Sequence, residues 1–157
     1  MTEETLISGL QNQYLRFPSE HYENVRRFSM TGQQSERVKN RDNIPFDRYV
    51  DIWWLAMCIG VREGRRTKLN KGNWHQFALA GEILPSNPWR IFQLKLLAVG
   101  VTGNTEVLSK PGKLISMANE YAATGLPILL NALLGSKVPI WAITDFMLAR
   151  INRSSVT

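Results

Sequence analysis

Cysteine occurs once in the 157 residues, as Cys58, so the chain can close no internal disulfide and can assemble no cysteine-based zinc site. Histidine occurs twice, as His21 and His75, with no His-x-x-x-His or carboxylate spacing beside either, and no metal site is expected. Apolar runs are short: the uncharged stretch Ile52 to Val61 is about half of the ~20 residues a membrane helix needs. The opening Met1-Thr2-Glu3-Glu4 lacks the basic and apolar regions of a signal peptide, which predicts a cytoplasmic protein with no membrane partner. Catalytic groupings are equally scarce. Cys58 sits in an apolar helical stretch and reads as a small core residue. Gly64 and Gly72 are too far apart for a phosphate-binding loop of the Gly-x-x-x-x-Gly-Lys type. Glu106 and Lys110 flank a turn without the second acid that a metal-dependent nuclease requires. The expectation is a non-enzymatic protein with no cofactor.

What is present is enough apolar material for a core, with 44% hydrophobic and 20% charged residues. Its patterning predicts an all-α fold, a compact bundle of about six helices with a polar N-terminal arm. Residues 1–45 would form a first helix, Glu3 to Leu15 capped by Thr2, and the arm; residues 46–157 would form the helical domain. In the arm, Arg26, Arg27, Arg37, Lys39 and Arg41 are interleaved with Tyr22 and Phe28, a composition open to nucleic-acid contact as well as to a plain surface role. After Pro45 a helix carries Tyr49, Ile52, Trp53, Ala56 and Ile59 on one face and Val50, Trp54, Met57 and Val61 on another. A helix apolar on two faces is buried in a bundle or lies against a partner, and a second copy of the chain is one such partner. Trp53 and Trp54 are therefore candidate partner-binding residues, since adjacent positions cannot share one face. Asp51, in this apolar stretch, is expected to pair with an arginine such as Arg48 or Arg65. Further helices are predicted from Asn73 to Leu84, from Asn87-Pro88 to Gly100, from Pro111 past a kink at Pro127 to Gly135, and from Pro139 to about Ile151. No strand pair is evident.

The net charge is +6 and unevenly placed. Residues 1–61 sum to −1 and residues 72–157 to +3, whereas the ten residues from Arg62 to Lys71 alone carry +4. Arg62, Arg65, Arg66, Lys68 and Lys71 stand there against Glu63 only. Such density suits a solvated loop that aids solubility, or a phosphate or acidic-partner site, because arginine offers a planar fork of donors and lysine a point charge. Both readings stay open on the residues alone.

Two segments carry a resemblance. The run Asp51-Ile52-Trp53-Trp54-Leu55-Ala56-Met57-Cys58-Ile59-Gly60-Val61-Arg62-Glu63-Gly64-Arg65-Arg66-Thr67 resembles the apolar helix and arginine-rich turn of small proteins associated with bacterial Dnd systems, which mark DNA with phosphorothioate and restrict unmarked DNA. Ala118-Asn119-Glu120-Tyr121-Ala122-Ala123-Thr124-Gly125-Leu126 is similar to a second segment of that family, and together the likeness covers residues 47 to about 134. The resemblance implies an accessory subunit of an anti-phage DNA modification or restriction system, with other defence-system subunits as partners. Joined to the charge distribution, it leads to the expectation that Arg62, Arg65, Arg66, Lys68 and Lys71 bind the DNA backbone largely independently of sequence. The alternative expectation is an adaptor that docks a larger ATPase or nuclease subunit without touching DNA.

Overall fold

The structure, a computed structural model, describes residues 2–32 and 40–154; Arg37 and Lys39 of the expected arm lie outside the described residues. Helix α1, Glu3–Leu10, begins where the Thr2 hydroxyl accepts the Thr5 amide and where Glu3 and Glu4 meet the helix dipole. It buries Leu6 and Leu10 and stops there, five residues short of the predicted end.

The chain next forms strand β1, Tyr14–Pro18, whose alternation turns Leu15 and Phe17 inward. Its partner is strand β2, Trp74–Leu79, paired antiparallel from Tyr14 opposite Leu79 to Pro18 opposite Trp74, with a bulge between Leu15 and Arg16. This antiparallel pair, joined through residues 19–73 rather than by a turn, corrects the expectation that no strands occur and that Asn73 to Leu84 is one helix; only α4, Ala80–Ile83, is helical there. Trp74, Phe77, Ala78 and Gly81 satisfy a helical period, but aromatic residues favour a pleated, half-buried surface once an unpaired strand is at hand.

The segment expected as a polar arm also builds core. Helix α2, Tyr22–Arg27, and the residues after it bury Val25 and Phe28. The backbone there pairs with the approach to the next helix, Met30 donating to the Phe46 carbonyl at 2.9 Å and Phe46 to the Phe28 carbonyl at 3.3 Å.

Helix α3, Tyr49–Glu63, starts with Asp51 accepting the Arg48 amide at 3.0 Å and ends at Gly64, left-handed at φ 66°. Asp51 is held by Arg48 and by Arg90, so the expected ion pair exists but Arg65 takes no part in it. Arg90 belongs to α5, Pro88–Thr102, which opens on the Asn87 cap and Pro88 as predicted and closes at Gly103. Helix α6, Pro111–Leu134, runs through Pro127 without a break, and α7 spans Pro139–Ser154. Pro127 removes one backbone bond, but Leu126, Leu129 and Leu130 around it are all buried and keep the helix in place.

The central contact is the crossing of α3 on α6. A Cβ added to Gly60 would lie 1.9 Å from the Tyr121 carbonyl oxygen, and one added to Gly125 would lie 1.7 Å from that of Ala56. The two backbones therefore touch, flanked by the buried Ala56, Met57, Ala118 and Ala122. Trp53 is a core residue, 1% exposed, and its indole N–H donates to the Arg16 carbonyl and to Asn119 Oδ1, each at 3.2 Å. This corrects its assignment as a partner-facing residue. Trp54 is partly buried against the core with the Arg90 guanidinium 6.0 Å from its ring, so only it retains some surface. The exposed tryptophans are Trp89 and Trp141. Asn119, 5% exposed, completes the junction: its Oδ1 also accepts the Arg16 amide at 2.8 Å and its Nδ2 donates to the Tyr14 carbonyl at 2.9 Å, so a side chain of α6 serves as a neighbour to β1.

Two outcomes test this frame. Gly125→Ala should cost about 3 kcal/mol by overpacking and lower Tm by about 6–12 °C, whereas Gly100→Ala, with open space at its Cβ, should stabilise by about 0.5–1 kcal/mol in a melt. Asn119→Ala strands polar groups of β1 and should cost about 2–3 kcal/mol, with faster amide exchange at Arg16 as the local readout.

Candidate nucleic-acid interface

Past the left-handed Gly64, the chain leaves α3 as an irregular exposed loop over residues 65–73 and enters β2 through a second left-handed glycine, Gly72 at φ 85°. The loop is irregular but anchored. The Thr67 amide donates to the Glu120 carbonyl at 3.1 Å, and the Thr67 and Thr124 hydroxyls meet at 2.8 Å on the side of α6. At the far end the Asn73 carbonyl accepts the Ser19 amide at 2.9 Å, and Leu69 between them is partly buried. Both ends are thus fixed, and the side chains between them have limited room to retreat.

The five cations predicted for this segment divide into three situations. Arg62, on the last turn of α3, donates to the Arg150 carbonyl, while Arg150 pairs with Glu63 at 3.1 Å; these contacts tie α3 to the end of α7. Arg66 faces Glu120 at 3.6 Å and is 52% exposed, a pair weakened by solvent and free to exchange partners. Arg65, Lys68 and Lys71 are exposed and form no ion pair among the described residues. Asp51, the partner expected for Arg65, is engaged at the start of α3 by Arg48 and Arg90, and Glu20 lines the same cleft as Lys68 without an ion pair to it. The fixed loop therefore presents three unneutralised charges, with Arg66 at their base.

A cleft flanks the loop on each side. One, of about 360 Å³, is lined by Ser19, Glu20, Lys68, Asn70 and Asn73. The other, of about 330 Å³, lies between β1, β2, the loop and the start of α6, and takes in Arg16, Trp74, Gly112 and Asn119. Sequence reasoning passed over this second group. The one signal was the alternation Tyr14-Leu15-Arg16-Phe17, which puts Arg16 on the face opposite two core residues.

No cluster of three potential metal-ligating side chains occurs among the described residues. His75 is packed between Phe17 and Tyr22, with ring centroids 5.3 and 4.3 Å away, and His21 has its pKa lowered by burial against the opposing pull of Glu20. Cys58, expected in the core, lies on the exposed side of α3; desolvation by the surrounding protein still pushes its thiol pKa up, the reverse of an activated nucleophile. No helix among the described residues is long and apolar enough to cross a membrane.

No curated protein and no solved structure matches the chain. The description of one family, DNA sulphur modification system-associated protein 4, matches residues 25–156, which include the whole of α3, the basic loop and α6. With so much of its length matched, the chain belongs to that Dnd-associated family, whose members accompany a DNA sulphur modification system.

Proposed function

We infer that this protein is a non-enzymatic accessory subunit of the DNA modification system, and that its basic loop rests on the DNA backbone. The observation that carries the reading is the trio Arg65, Lys68 and Lys71, left without carboxylate partners on a loop fixed at both ends. Fixing the loop in advance lowers the ordering cost of binding, and neutralising phosphates releases condensed counterions. The cations project from a loop rather than from a helix shaped for the major groove, so contacts to phosphate position the protein without reading bases. Arg66 can leave Glu120 and join them, because an exposed pair of this kind contributes little.

A second reading rests on a separate observation. On α5 the exposed side chains Trp89, Phe92 and Leu96 recur at helical spacing, and α7 exposes Trp141, Leu148 and Ile151. Large exposed aromatics favour contact with another subunit of the same system, the adaptor role. The two readings separate in a pull-down from nuclease-treated lysate, where an adaptor keeps its system subunit and a DNA-tethered protein loses it.

Three phosphate contacts should make log affinity for duplex DNA fall with log salt at a slope of about −2.7. The triple change R65E/K68E/K71E should abolish the mobility shift at moderate salt while leaving Tm within about 1–2 °C, since these side chains are exposed. Equal binding by the triple variant and the parent would overturn the loop assignment.

A further inference from the structure

We propose that the cleft between β1, β2 and the start of α6 is a second anion site, one that takes a phosphate group on Arg16. Four observations converge on it. Arg16 stands on the outward face of β1, and its guanidinium carbon is 4.6 Å from the Trp74 ring centroid, a stacking contact that holds the planar fork in one orientation. It forms no ion pair among the described residues, and its Nε is buried without a hydrogen-bond partner. A partly buried cation lacking a counter-charge is costly, and an anion in the cleft relieves that cost.

The second observation is the first turn of α6. This helix is 24 residues long, carries no acidic residue in its first turn and has no side-chain cap at its N-terminus. Gly112, in that turn, lines the same cleft as Arg16. A Cβ there would be in ordinary contact with the Gln13 side chain at 3.6 Å, so a small side chain fits. Pro111 has no N–H and Leu114 donates to the Lys110 carbonyl, which leaves the amides of Gly112 and Lys113 and the positive end of the helix dipole at this end of α6. Third, the remaining polar lining is rich in donors, with the amides of Asn12 and Gln13 and the hydroxyl of Ser116. One acid, Glu120, also lines the cleft, eight residues and about 12 Å along the α6 axis from Gly112. Facing Arg66 at 3.6 Å it adds no net charge to the wall while that pair is closed, so the cleft favours an anion most when Arg66 stays on Glu120. Fourth, Leu69 of the basic loop forms part of the wall, so the cleft abuts that loop, with Lys68 lining the cleft on its other side.

At about 330 Å³ the cleft exceeds a phosphate alone and has room for an attached sugar. Its chemistry is that of a phosphate ester, either a nucleic-acid phosphate delivered by a strand lying on the loop or a free nucleotide. The first source rests on the backbone-binding reading above; the site itself does not. Arg16 lies ahead of the span that the family description covers, residues 25–156, so the site joins residues from inside and outside it.

Calorimetric titration of the full chain with inorganic phosphate, adenosine 5′-monophosphate and adenosine tests the site. Binding of the two phosphate-bearing probes and not of adenosine is expected, with the Arg16→Gln variant weaker by about tenfold or more. Gly112→Asp supplies a second route. It places a carboxylate in the cleft at a position where a helix tolerates acid, so it should retain Tm and lose phosphate affinity to a similar degree. A tighter hold on the nucleotide than on inorganic phosphate supports a nucleotide or strand as the source, and equal binding supports free phosphate. The site is overturned if neither phosphate probe binds at millimolar concentration, if adenosine binds as well as its monophosphate, or if Arg16→Gln and Gly112→Asp both bind like the parent. Retention of monophosphate binding by R65E/K68E/K71E separates the two proposals: loss of DNA binding in that variant with the cleft still active confirms both, and unchanged DNA binding removes the loop reading alone.

Discussion

The bare contact between α3 and α6 sets the positions of everything that bears on function. Because Gly60 and Gly125 present no side chains to each other's helices, the two backbones approach to a distance at which a single methyl group would collide with a carbonyl. That approach brings the end of α3 alongside the middle of α6, and the loop that follows Gly64 emerges within reach of Glu120 and Thr124. Separate the helices by the width of one alanine and the Thr67 anchors would lose their partners. The dense packing of protein interiors makes such a contact all-or-none rather than adjustable.

The same contact accounts for the two segments on which the family likeness rests. One runs along α3 through Gly60 into the arginine-rich loop, and the other spans Asn119, Glu120, Thr124 and Gly125 of α6. They are distant in the chain but form one structural unit, a helix crossing with the loop stapled to its side. Within it, Asn119 meets β1 and the Trp53 indole, Glu120 meets Arg66, and Thr124 meets Thr67. The polar residues of the second segment thus serve as fasteners for the elements that carry the charge.

Much of the helical frame could be read from local punctuation. Asn87-Pro88, Pro111 and Pro139 mark true helix starts and Gly135 a true end, because caps and proline act within a turn of their own position, whereas the helix expected to close at Gly100 runs on to Thr102 and is capped by Gly103. The strands could not be read this way. Trp74, Phe77, Ala78 and Gly81 fit a helical repeat, and the strand that claims the first three is more than fifty residues earlier in the chain, a distance over which pattern carries no information. Burial misled for a related reason. Trp53 and Trp54 were a plausible outward pair until the Arg16 carbonyl and Asn119 supplied acceptors for a buried indole, whereas Cys58, surrounded by apolar neighbours in sequence, falls on an exposed side of α3. The basic loop was visible because its charge is concentrated in ten consecutive residues; the Arg16 cleft was not, since its parts come from β1, β2 and α6.

Anchoring also has an electrostatic consequence. On a slack loop, like charges relax apart and the field around them is diffuse. With Gly64, Thr67 and Asn73 anchoring the backbone, the attachment points of Arg65, Lys68 and Lys71 stay close together, so part of their mutual repulsion is retained and several negative charges at matching intervals would relieve it. Under the proposed backbone contact, such a loop would select by linear charge density: a duplex, with a charge about every 1.7 Å of axis, would satisfy several cations at once, and a lone small anion one.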